Sequence, residues 1–191
     1  MAPGVLCPAL VSKALRRDPP MLRAAALCLA FVATAAAADT PRLGPDSHLP
    51  VPRFESLASP KVHGRRGPGM DHRIDWVYHT AGLPVQVLEE SDSWRRVRDP
   101  SGDRAWVRAD KLSPNRTVYV STTISPGLAL RSAPRPESRM VAYLAKGVIA
   151  RLGACIGGWR KLTVETPSGA QTGWVDKSGL WGGDDCEGLP E

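Results

Sequence analysis

Cys155 and Cys186, two of four cysteines, and the histidines His48, His63, His72 and His79 are the side chains with the most direct chemical reach. A thiol nucleophile needs a histidine base within hydrogen-bond range. Here all four histidines lie in the first half of the chain and both of those cysteines lie in its last 40 residues. The spacing of His63, His72 and His79 fits no compact zinc-ligand pattern, which suggests solvated loop residues. Gly67-Pro68-Gly69 lacks the lysine and hydroxyl residue of a phosphate-binding loop. The expectation is a chain with no catalytic residues, no metal and no cofactor. What remains is recognition: 6 tryptophans, several flanked by arginine, can form aromatic platforms with cationic neighbours.

The elements that would position those platforms recur. At an offset of 65 to 68 residues, Arg65-Arg66-Gly67-Pro68 matches Arg131-Ser132-Ala133-Pro134, and Trp76-Val77-Tyr78 through Gly82 matches Val141-Ala142-Tyr143 through Gly147. In both copies a tryptophan follows that glycine by 12 residues, Trp94 and Trp159, and Trp106-Val107 matches Trp174-Val175. A unit of about 60 residues is the size of a small autonomous β domain. Pro84–Glu89, Gly147–Leu152, Trp94–Arg98 and Trp159–Val164 alternate apolar with polar residues, as half-buried strands do. Asp99-Pro100-Ser101-Gly102-Asp103 and Thr166-Pro167-Ser168-Gly169 read as hairpin turns. So many short strands bury a core only by curling into a small barrel or a tight pair of sheets, with the tryptophans expected as its main volume.

Met21-Leu22-Arg23 opens a basic-then-apolar pattern that runs from Ala24 to Ala38, the form of a cleavable signal peptide, and Met21 is an alternative start. Its apolar part is 15 residues long, short of the roughly 20 that span a bilayer, so no stable membrane span is expected. The predicted organisation is a leader at 1–38, a flexible lead-in at 39–50, one module at 51–115, a second at 118–183 and an acidic tail at 184–191. Removing the leader lowers the net charge from +6 to +3 and takes Cys7 and Cys28 with it. Cys155 and Cys186 are then the pair left in an oxidising compartment, either as one disulfide, which would stabilise by roughly 3 kcal/mol for a loop of about 30 residues, or as two free thiols.

From Leu49 to Gly182 the chain resembles the bacterial SH3-like domain proteins of alphaproteobacterial envelopes, most specifically in Val62-His63-Gly64-Arg65-Arg66-Gly67-Pro68-Gly69. The resemblance implies an all-β fold of two tandem SH3-like barrels in an exported, periplasmic or secreted protein. Two departures stand out. The family places an apolar residue where Gly64 stands, and it often pairs two nearby cysteines around the second-module tryptophan, where this chain has Arg160 and its partner would have to be Cys186. The implied function is recognition of a cell-envelope ligand, a peptidoglycan peptide or glycan, in the groove beside the long first loop. Candidate contacts are Arg65, Arg66, Trp76, Tyr78, Trp94 and Trp106, with Arg131, Tyr143, Trp159 and Trp174 in the second module. The alternative is an assembly subunit that binds a periplasmic protein. Nucleic acid is not an expected partner, because Asp99, Asp103 and Asp110 dilute the field of the basic residues Arg95 to Arg108 and export argues against it; the oligomeric state is left open.

Overall fold

Alternating β-branched residues set the architecture. The computed structural model describes residues 42–183; the leader, residues 39–41 and the tail with Cys186 lie outside the described residues. The first module has β1 (Arg42–Leu43), β2 (Pro50–Val51), β3 (Arg53–Leu57), β4 (Val62–Arg65), β5 (Ile74–Tyr78), β6 (Pro84–Ser91), β7 (Trp94–Arg98), β8 (Arg104–Arg108) and β9 (Leu112–Ser113). The second has β10 (Thr117–Val120), β11 (Leu128–Arg131), β12 (Met140–Leu144), β13 (Ile149–Ile156), β14 (Trp159–Thr166), β15 (Gly169–Asp176) and β16 (Leu180–Trp181). One short 3-10 turn, Ala109–Lys111 or Lys177–Gly179, precedes the last strand of each.

Two seven-stranded antiparallel sheets result, β5-β4-β8-β7-β6-β3-β9 and β12-β11-β15-β14-β13-β10-β16. Their orders are the same element for element, so the repeat in the sequence is a repeat of topology, and the all-β, two-module expectation holds. Even the irregularities recur. A register shift falls at Gly64/Arg65 in one module and Leu130/Arg131 in the other, and a second at Val87/Glu89 and Leu152/Cys155. Such bulges bend a strand and help a short sheet to curl.

The cores correct one expectation. Val85, Val87, Val97 and Val107 are fully buried in the first module, and Val118, Val120, Leu130, Leu162 and Val175 in the second. Among the described tryptophans only Trp94 is buried, at 7% exposure. The period-2 pleat places a compact β-branched residue at each inward position, and such residues fill a narrow barrel better than indoles do. The other indoles are half-buried, and Trp76 among them packs against the first core.

Trp76 also explains the glycine at position 64. A Cβ built on Gly64 would stand 3.0 Å from Trp76 Nε1 and 3.0 Å from Ala105 Cβ, so the indole occupies the space a side chain would need. In the second module the assignments are exchanged: Leu130 pairs with Ala142, and Gly173 stands where Ala105 does. Gly64 is thus matched to a large partner and does not mark a weak strand.

The described part of the lead-in forms structure of its own. β1 pairs with β2, and the turn between them wraps the carboxylate of Glu90. Glu90 accepts from Ser47 N at 2.8 Å, Ser47 Oγ at 2.6 Å and Arg53 Nη1 at 2.7 Å, with Arg95 Nε at 3.4 Å. Burial would raise the Glu90 pKa, but the bonds from Ser47 and Arg53 and the charge of Arg95 outweigh it and hold the group at about 2. At the junction of the modules, Phe54 meets Trp181 edge-on with ring centroids 5.0 Å apart, and Thr117 Oγ1 donates to Gly82 O at 2.7 Å.

Candidate ligand-binding grooves

A groove opens at the equivalent place on each barrel. In the first module it has a volume of about 390 Å³ and runs over Val62, Met70 and Trp94. In the second it measures about 230 Å³ over Leu128, Pro136 and Trp159. These residues correspond pairwise. Val62 opens β4 as Leu128 opens β11, Met70 and Pro136 belong to the long first loops, and Trp94 and Trp159 are the first residues of β7 and β14.

Arg65 and Arg131 hold the loops that wall the grooves. Arg65 Nη1 donates to Met70 O at 3.0 Å and His72 O at 2.6 Å, and Arg131 Nη1 donates to Ser138 O at 2.9 Å. Each loop base is closed by a backbone pair, Arg66 N to Arg73 O at 3.0 Å and Ser132 N to Arg139 O at 2.9 Å. The acceptors are carbonyls and not carboxylates, so these contacts bring no acidic side chain to either groove.

The grooves differ in charge. Lys61, His63, Arg108 and Lys111 complete the lining of the first. The residues at the corresponding places in the second are Gly127, Ala129, Asp176 and Gly179. Asp176 is partly occupied in capping the second 3-10 turn, where it accepts from Ser178 N at 2.8 Å.

The remaining sequence-predicted contacts scatter. Trp106 and Trp174 are half-buried on outer faces, directly opposite Arg65 and Arg131 in the ladders, and line neither groove. Arg66 is exposed and reaches Asp75 at 3.5 Å; Asp75 is held below the usual carboxylate range first by a hydrogen bond from Arg73. Trp76 packs over Gly64, edge-on to Tyr78. Tyr78 is buried, its phenol pushed upward chiefly by burial, and it donates to Asp99 Oδ2 at 3.3 Å in the hairpin turn.

Tyr143 is not the structural counterpart of Tyr78. Val62 pairs with Tyr78 and Leu128 with Leu144, so Leu144 takes the buried place and Tyr143 points outward at 51% exposure. The connection to the following glycine is one residue shorter in the second module, and a one-residue slip reverses the face. Tyr143 lines a separate cavity of about 430 Å³ with Ala142, Val164, Pro167 and Gln171. Cys155 is disulfide-bonded; Cys186, its expected partner, lies outside the described residues.

Sequence reasoning missed Lys61, Met70 and Lys111, and it placed His63 in a loop although it lies on β4. Their signal is positional: they sit at the mouth of a strand, in the long loop and in the turn after β8. Among the described residues no group of three or more metal-ligating side chains gathers, and no helix is long and apolar enough to cross a membrane.

The two modules thus repeat one barrel and one groove. The family model described as the bacterial SH3 domain matches residues 58–114 and again 125–182, together more than half of the chain, and the protein belongs to that family. A Bacillus subtilis protein named as an N-acetylmuramoyl-L-alanine amidase is 25% identical over 127 residues, covering 62% of this chain and 24% of that protein. The chain thus spans about a quarter of the curated relative it matches. Among solved structures, NlpC2 from Trichomonas vaginalis aligns over 68% of this chain and 48% of its own at 15% identity and a TM-score of 0.30. NlpC1 from the same organism aligns over 72% and 48% at 16% identity and a TM-score of 0.31. The amidase name of the curated relative corrects the expectation that the chain is not an enzyme and has no catalytic residues.

Proposed function

We propose that this chain binds the bacterial cell wall through its two tandem grooves, as an exported protein of the cell envelope. The observation that carries the reading is the groove built twice: a tryptophan on the floor, an arginine-held loop as the wall and the same strands around both. An aromatic floor with polar walls suits a wall peptide or sugar, which presents apolar faces beside hydrogen-bonding groups. Membership of the bacterial SH3 family and the amidase relative, whose name refers to a wall bond, support that target. The pattern from Met21 to Ala38 supports export.

Retention on purified peptidoglycan sacculi tests the reading, with Trp159→Ala as the groove variant, Trp106→Ala as the variant outside both grooves and circular dichroism as the check on folding. The proposal expects retention to fall for folded Trp159→Ala and to persist for Trp106→Ala. Equal retention of all three proteins, or none for the wild type, would refute it.

A further inference from the structure

The two grooves share a shape and differ in charge, and the difference is large for sites of this size. Lys61, Arg65, Arg108 and Lys111 bring four formal positive charges to the first groove, with His63 beside them and no acid in the lining. Asp110 stands at the rim, 3.1 Å from Arg108 Nε and 3.9 Å from Lys111 Nζ, but all three side chains are about half exposed. Such pairs are weak and leave the cations able to face a ligand. In the second groove Arg131 is offset by Asp176, and glycine or alanine takes the other places.

We infer that the first groove is an anion-selective subsite, which takes a carboxylate- or phosphate-bearing segment of the wall polymer, while the second takes an uncharged segment. The inference rests on the wall-binding reading and adds the ligand class. Clustered cations beside an aromatic floor attract an anion from a distance and orient it on arrival. At about 390 Å³ the first groove holds one short segment of polymer. Of the four cations Arg65 holds the loop, whereas Lys61 and Lys111 are exposed and can turn toward a ligand.

The test uses the full chain and three preparations of sacculi: native, carboxyl-capped with methylamine and carbodiimide, and stripped of phosphodiesters with hydrofluoric acid. Wild-type affinity is expected to fall about tenfold with one of the two treatments, which identifies the anion. The Lys61→Gln/Lys111→Gln variant should bind native sacculi with that reduced affinity and ignore the treatment, whereas Arg151→Gln, which removes an exposed cation outside both grooves, should change affinity less than twofold. Equal wild-type binding to all three preparations would overturn anion selectivity and leave wall binding intact. No binding to native sacculi would overturn the wall-binding reading itself.

Discussion

The two barrels share a topology yet fasten the chain beyond them in opposite ways. Glu90 pairs with Arg95 across β6 and β7 in the first, and at the equivalent ladder position Cys155 pairs with Arg160 across β13 and β14 in the second. The acid of the first holds the segment that enters the barrel, through Ser47 and the backbone of Asp46. The fully buried Arg160 of the second holds the segment that leaves, donating to Gly183 O at 3.1 and 2.9 Å, with the disulfide-bonded Cys155 beside it in the ladder. One ladder position serves as a clamp in both, and the residue type decides which flank is held. The same economy governs Gly64 with Trp76 against Leu130 with Ala142, where the large side chain moves from one strand of the pair to the other.

That comparison can be broken most forcefully at the volume exchange. Leu130→Ala should destabilise the second module by about 3 kcal/mol, the usual cost of truncating a fully buried leucine, read as a lower denaturant midpoint. Gly64→Leu should cost about 2 kcal/mol by overpacking against Trp76 and Ala105. If the modules do exchange volume, adding Trp76→Ala and Ala105→Gly to Gly64→Leu should recover at least half of that loss; additive damage would show that the match is incidental.

The clamp of the first module comes next. Glu90→Gln should cost about 2 kcal/mol by removing charge-assisted bonds from a buried site. The folded pKa of Glu90 is about 2 against an ordinary 4.5, so its stabilisation is fully present above the unfolded value and is lost as pH falls from about 4.5 toward 2. Denaturation at pH 6 and pH 3 should therefore show a steeper loss for the wild type than for Glu90→Gln, and parallel losses would remove the clamp from the account.

Smaller still are the loop staples. Arg65→Lys should cost about 1 kcal/mol and Arg131→Lys less, since the first arginine joins two carbonyls and the second one. Hydrogen exchange at Arg66 N and Ser132 N, which close the two loops, reads each effect locally. The least effect belongs to Arg151→Ala: its pair with Glu165 is 66% exposed on both sides, and stability should shift by less than about 0.5 kcal/mol.

The repeat, the hairpins and the matched arginines were legible in the sequence because each is a local pattern carried twice. Tyr143 was misread because the glycine used as the anchor had moved by one residue, and only the pairing of Leu128 with Leu144 reveals which side chain points inward. The tryptophans suggested a core by their size, whereas the pleat gave the inward places to valine. Glu90 carried no signal at all, since Ser47 lies 43 residues before it. The groove cations were legible as charges but not as neighbours: Lys61, Arg108 and Lys111 meet only after β4 and β8 pair through Arg65 and Trp106.

Indole proton signals offer the most direct measurement on the grooves, because the 6 tryptophans supply one reporter each. In a titration of the isotope-labelled chain with soluble wall fragments, the indole signals of Trp94 and Trp159 should move, while those of Trp76, packed over Gly64, and Trp181, held against Phe54, stay in place. Shifts confined to Trp76 and Trp181, or no shift at either groove tryptophan, would contradict the assignment of the grooves as the binding sites.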